Sequence, residues 1–173
     1  MPHTLRVTPD DRRRHLQLVS PAIHEETFSW SWFCGHCAAP PVRAVPAPHQ
    51  QRVCESCGVG LMQQAPADAA PVPNEAFVIV DSSLSVQSMS PAAEQLLAVS
   101  GDDVVERRVT DLLVPADAEA QGPAGLAAAI TQSAGGATTT TGVFVRPGAT
   151  FGVRLRAQVG PCGPPRAALI VFR

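Results

Sequence analysis

Apolar and polar positions settle into regular patterns only in the second half of this chain. Ala76-Phe77-Val78-Ile79-Val80 is an unbroken apolar run rich in β-formers, which predicts a buried strand. Asp81-Ser82-Ser83 turns the chain, and Leu84 to Met89 then alternates with period two, as a hairpin partner does. Ser90-Pro91 predicts a helix start, with Ser as N-cap and Pro at the first helical position. Ala93, Leu96 and Leu97 fall on one helical face, and Gly101 is placed to end it. Val109 to Leu113 before Pro115 predicts a short helical turn, and Leu126 to Ile130 a further helix closed by Gly135-Gly136. Three β runs follow: Thr138 to Arg146 ahead of the type II turn pair Pro147-Gly148, then Phe151 to Val159, then Ala167 to Phe172. In the middle run Phe151, Val153, Leu155, Ala157 and Val159 share one face, and Arg154, Arg156 and Gln158 share the other. Gly160 to Pro165 reads as a loop. The order predicts an α+β fold with one antiparallel sheet of five strands.

Before residue 75 the pattern is different. Residues 10–27 read as a short helix broken at Pro21, with a solvated basic run at Arg12, Arg13 and Arg14. The stretch 63–74, QQAPADAAPVPN, has three Pro and four Ala without periodicity and reads as a linker. The chain therefore divides into an N-terminal segment (1–27), a Cys/His-rich module (28–62), this linker, and the α+β module (75–173).

The Cys/His-rich module opens on "WSWFCGHC", residues 30–37, where an aromatic followed by CGHC resembles the redox motif of protein disulfide isomerases. That motif needs a helix directly after it to lower the first thiol's pKa, and Ala38-Ala39-Pro40-Pro41 cannot continue a helix. A second pair instead completes the spacing Cys34-x2-Cys37-x16-Cys54-x2-Cys57. Two CxxC knuckles, each aiming two sulfurs at one point, are the sequence form of a four-thiolate zinc site of the zinc-ribbon class. A rubredoxin-like iron site and a redox dithiol are the alternatives. Gly58 follows the second pair, where positive φ is often needed. His36 and His49 read as loop residues, and Phe28, Trp30, Trp32 and Phe33 as a small apolar cover. Because so short a module buries little core, metal binding is expected to supply most of its folding energy.

Composition narrows the function. All thirteen basic residues are Arg, and the formal net charge of −2 gives no large single-sign field. Residues 1–63 hold six Arg against five acids, so an interface with nucleic acid is not expected. Neither a signal-peptide core nor an apolar run long enough to span a bilayer is present, which predicts a cytoplasmic protein without membrane contact. Cysteines in a reducing compartment then point to metal or redox chemistry rather than disulfides.

The stretch "FVIVDSSLSVQSMSPAAEQLLAVSGDDVVERRVTDLLVPAD" resembles the opening half of a Per-Arnt-Sim (PAS) sensor domain. The likeness rests on the strand-Asp-turn-strand start, the SPAAEQLL helix and the R-x-x-x-D-L-L-x-P-x-D segment at Arg107 to Asp117. It departs at Ser90, where the family commonly has Asn, and in the Gly- and Thr-rich stretch between Gln121 and Gly142. The resemblance implies a cupped sheet with helices enclosing a small pocket, used to sense a ligand or bind a partner. No His follows residue 49, so His-ligated haem in this module is excluded. Cys162 sits in a Gly-Pro setting that reads as a surface thiol rather than a flavin-photosensor cysteine, and there is no Tyr for a photoactive chromophore.

These readings predict a non-enzymatic sensory or regulatory protein. Its PAS-like module senses a ligand or forms a homodimer, and its ribbon, stabilised by structural zinc, binds a protein partner. The alternatives are a transcription regulator touching DNA or RNA polymerase through the ribbon and a zinc-thiolate redox sensor. The last strand ends just before Arg173, so any signal is expected to leave through the ribbon, the N-terminal segment or another protein. No nucleophile–base pairing, phosphate-binding glycine loop or open metal site points to an enzyme.

Overall fold

The computed structural model describes residues 29–42, 53–116, 125–150 and 152–173. The helix expected over 10–27, and Phe28, His49 and Phe151, lie outside the described residues.

Strands β1 (Trp30–Cys34) and β2 (Met62–Pro66) form a small antiparallel hairpin. The larger sheet contains β3 (Phe77–Val80), β4 (Val86–Met89), β5 (Leu113–Pro115), β6 (Thr141–Pro147), β7 (Leu155–Cys162) and β8 (Ala167–Phe172). Its spatial order is β4-β3-β8-β7-β6-β5, every pair antiparallel. Helices α1 (Pro91–Leu97), α2 (Gly101–Val104), α3 (Val109–Leu112) and α4 (Leu126–Ala134) connect the strands. The fold is α+β, with a curled antiparallel sheet and a few short helices.

β3 and β8 are buried along their whole length because the sheet is covered on both faces. Alternation sends Val78, Val80, Ala168, Ile170 and Phe172 to the helix side, where they pack with Ala93, Leu97, Ala129 and Ile130. The other residues, Phe77, Ile79, Ala167, Leu169 and Val171, face outward and meet Phe33, Ala38 and Ala65 from the N-terminal half. Phe33 and Phe77 stack edge to face at 5.8 Å. Two backbone hydrogen bonds between Gln64 and Gly163 fix the hairpin over the end of β7.

Several elements differ from the sequence expectation. The sheet has six strands rather than five: after the short α3, Leu113 buries its side chain and the chain pairs with β6. Pro115 is tolerated there because β5 is an edge strand. Residues 63–66, expected in a linker, belong to β2, since Ala65 and Gln63 pack against the sheet. Helix α1 ends at Leu97 with Ala98 in the left-handed region (φ 53°), whereas Gly101 begins α2; Leu96 points largely to solvent. β6 starts at Thr141 rather than Thr138, and Gly148 does not take the positive φ of a type II turn. β7 starts at Leu155 and runs on through Gly160, Pro161 and Cys162, which were expected in a loop.

Ser90 ties the first strand to the first helix. Its hydroxyl accepts from the amides of Ala93 and Phe77 and donates to the carbonyl of Glu75. Ser90, Phe77 and Ala93 are buried, so the two amides cannot turn to water instead. Ser90→Ala is expected to cost about 1–3 kcal/mol, the loss of a cap plus an orphaned buried amide. A lowered urea midpoint with an unchanged slope is the readout.

Candidate metal centre

The β1–β2 hairpin has two working faces. Successive side chains of β1 alternate, so Phe33 turns onto the large sheet while Trp32 and Cys34 turn away from it. Met62, paired with Cys34 in register, joins them on the far side. The aromatic cover expected from the sequence is thus divided: Trp32 shields the thiols, Phe33 anchors the hairpin, and Trp30 is exposed.

Both CxxC segments fold into the same knuckle. The amide of Ala38 donates to the carbonyl of Cys34 (2.9 Å), and that of Gly58 donates to Cys54 (2.8 Å). Ala38 (φ 59°) and Gly58 (φ 69°) each take the left-handed conformation that reverses the chain. Left-handed backbone costs an alanine roughly 1–2 kcal/mol. Ala38 offsets this by burying its methyl with Phe33 and Ala65, which a glycine could not do.

The knuckles converge. Cys34, Cys37, Cys54 and Cys57 place their sulfurs within 4.8 Å of one another and could hold a metal ion. Cys34 Sγ lies 3.7 Å from Cys57 Sγ, and Cys37 Sγ lies 3.8 Å from Cys54 Sγ. Metal–sulfur bonds of about 2.3 Å in a regular tetrahedron set sulfur–sulfur edges of about 3.8 Å. A disulfide needs about 2.05 Å, and all four thiols are free. The amides of His36 and Cys37 point at Cys34 Sγ (3.4 and 3.5 Å), and that of Gly60 points at Cys57 Sγ (3.4 Å). Such donors favour thiolate over thiol. At Gly60 a Cβ would fall 2.4 Å from Cys34 Sγ and 2.7 Å from the Cβ of His36, so only glycine lets the second knuckle close. Among the described residues His36 contributes no atom to the cluster.

The thiols are electrostatically uneven. Burial pushes Cys34 up to about 12 despite its amide donors, and burial likewise raises Cys37. Burial opposes ionisation of Cys57 as well, but the amides of Gly60 and Val59 and the neighbouring thiols outweigh it and bring Cys57 down to about 6. Four thiolates so close together require a cation, and a divalent ion reverses the cost of ionising them. At pH 7 metal uptake is expected to displace a proton from each of Cys34 and Cys37. Because protons compete for raised-pKa ligands, affinity falls as pH falls. Calorimetric titrations in buffers of different ionisation heat measure the release; uptake without proton release contradicts it.

Cys162 was expected to be a surface thiol. It is buried (4% exposed) beside Phe33 and Phe77, and burial holds it up at about 12, so it is part of the packing rather than a reactive group.

No model of a known protein family and no curated protein matches the chain. Among solved structures, the chain is similar to the PAS domain of nitrogen regulation protein NR(II) from Vibrio parahaemolyticus. The identity is 20%, the match covers 58% of this chain and 88% of that one, and the TM-score is 0.42.

Proposed function

We propose that the protein is a non-enzymatic regulatory protein of two parts, a PAS-like sheet and a ribbon whose four cysteines hold a structural zinc ion. Cys34, Cys37, Cys54 and Cys57 would complete the zinc shell, leaving no open position for chemistry. The observation that carries this reading is the seating of the ribbon. Its Phe33 and Ala65 cover the outer face of the sheet, so a change at either part is felt by the other through one packed layer. In this reading the sheet senses a small ligand or self-associates, and the ribbon offers a surface to a protein partner.

Self-association would use the part of the outer face that the ribbon leaves open. There Phe144 on β6 is exposed, with the Arg154 guanidinium 4.0 Å from its ring centre. A monomer in sedimentation at high micromolar concentration would exclude this. Among the described residues no helix is long and apolar enough to cross a membrane. Native mass spectrometry of protein purified without added metal tests the zinc assignment. One zinc per chain is expected, whereas iron or a metal-free folded chain would refute it.

A further inference from the structure

Strand β1 leaves one edge bare. Its register with β2, continued by one residue at each end, sets Ser29 against Ala67 and Gly35 against Leu61. There the Ala67 amide donates to the Ser29 carbonyl and the Gly35 amide to the Leu61 carbonyl. Hydrogen-bonded positions alternate along an antiparallel pair, so Ser31 and Phe33 also bond inward to β2. The backbone groups of Trp30, Trp32 and Cys34 therefore point to the opposite edge. At Cys34 both are taken, the amide by the Ala39 carbonyl (2.9 Å) and the carbonyl by the Ala38 amide. Those of Trp30 and Trp32 have no partner among the described residues.

The other outer strands are closed or blunted. Gln64 carries the far side of β2 onto Gly163, and Val86 of β4 exchanges backbone bonds with Glu106 and Arg107. The edge strand β5 is three residues long and ends in Pro115. β1 has none of these devices: Trp-Ser-Trp-Phe-Cys holds no charge, no Pro and no bulge.

A strand that fills this edge must offer open amides and carbonyls at two positions two residues apart, with no Pro at either. It must also set apolar side chains beside the two indole rings, of which Trp30 is exposed. Trp30-Ser31-Trp32 of a second copy meets each requirement. Antiparallel pairing about a two-fold axis at Ser31 sets Trp30 of each copy against Trp32 of the other. Every open amide then meets an open carbonyl, and no like charges are brought together.

We propose that the protein self-associates through β1, two copies joining their ribbons into one antiparallel sheet of order β2-β1-β1-β2. This surface is separate from the open face around Phe144, and it requires a folded ribbon whichever metal holds it.

Sedimentation of the full chain from low to high micromolar concentration, its metal content measured first, tests this together with amide exchange on the same samples. A dimer is expected, with the Trp30 and Trp32 amides gaining protection as it fills. Trp30→Pro removes a donor that the hairpin itself does not use, at the first residue of a strand, where Pro is tolerated. It is expected to weaken the dimer roughly tenfold or more while Phe33 keeps its protection. Trp30→Glu, which keeps the amide and puts an unpaired charge into the seam, is expected to do the same. Trp30→Val and Phe144→Glu are expected to retain the dimer. A dimer that survives both Trp30→Pro and Trp30→Glu, or that leaves the Trp30 and Trp32 amides unprotected, overturns the proposal. Its loss in Phe144→Glu instead places self-association on the open face. A chain that stays monomeric at high micromolar concentration overturns both.

Discussion

Cys54→Ser is expected to abolish tight metal binding and unfold the ribbon. Structural zinc contributes about 10–16 kcal/mol to small modules of this kind, which is more than the ribbon's few buried side chains can replace. Serine removes one thiolate from a shell whose sulfurs are spaced for a tetrahedron. The effect does not stop at the ribbon. Phe77, Ile79, Leu169 and Val171 depend on Phe33, Ala38 and Ala65 for cover. Losing that cover exposes a contiguous apolar face on the sheet, which predicts dye binding and aggregation, with the helix-side core retained. Amide exchange should show β1 and β2 unprotected and the central strands weakened but folded. Full ribbon protection in a metal-free variant would contradict the expectation.

Phe33→Ala separates the anchor from the four-thiol cluster. Truncating a buried Phe costs about 3–5 kcal/mol, through lost transfer energy and the cavity left between the layers. Phe33 faces away from the thiols, so the variant is expected to bind zinc as the parent chain does while the ribbon lifts from the sheet. Pairing it with Phe77→Ala in a double-mutant cycle should return a coupling of about 0.5–1.5 kcal/mol from the edge-to-face contact. Additive losses in that cycle would mean that the two rings stabilise independent units.

The convergence of the four cysteines is visible in the sequence because CxxC spacing maps directly onto knuckle geometry, with no reference to distant residues. The strands of the large sheet are visible for a related reason: period two and unbroken apolar runs are local signals. Phe77–Val80 and Ala167–Phe172 even carry the mark of a doubly covered sheet, since neither alternates. Nothing local says what supplies the second cover. Phe33 stands among other aromatics, so the one that turns to the sheet cannot be told from those that do not. Ala65 lies in an Ala-Pro stretch that looks like linker, because a close approach between layers selects small residues of the same kind. Cys162 is hidden by its Gly and Pro neighbours, which here extend a strand under the ribbon rather than break it. β5 is three residues long and carries no period at all. The Gln63 carboxamide, buried without a donor, has no sequence signal of any kind.

The dependence of the sheet's outer cover on the thiolate centre is measured most directly by hydrogen exchange before and after metal is removed with a chelator. Protection is expected to vanish across Trp30–Cys34 and Met62–Pro66 and to fall at Phe77–Val80 and Ala167–Phe172, recovering when zinc is restored. A hairpin that stays protected over the sheet once all metal is gone would contradict it.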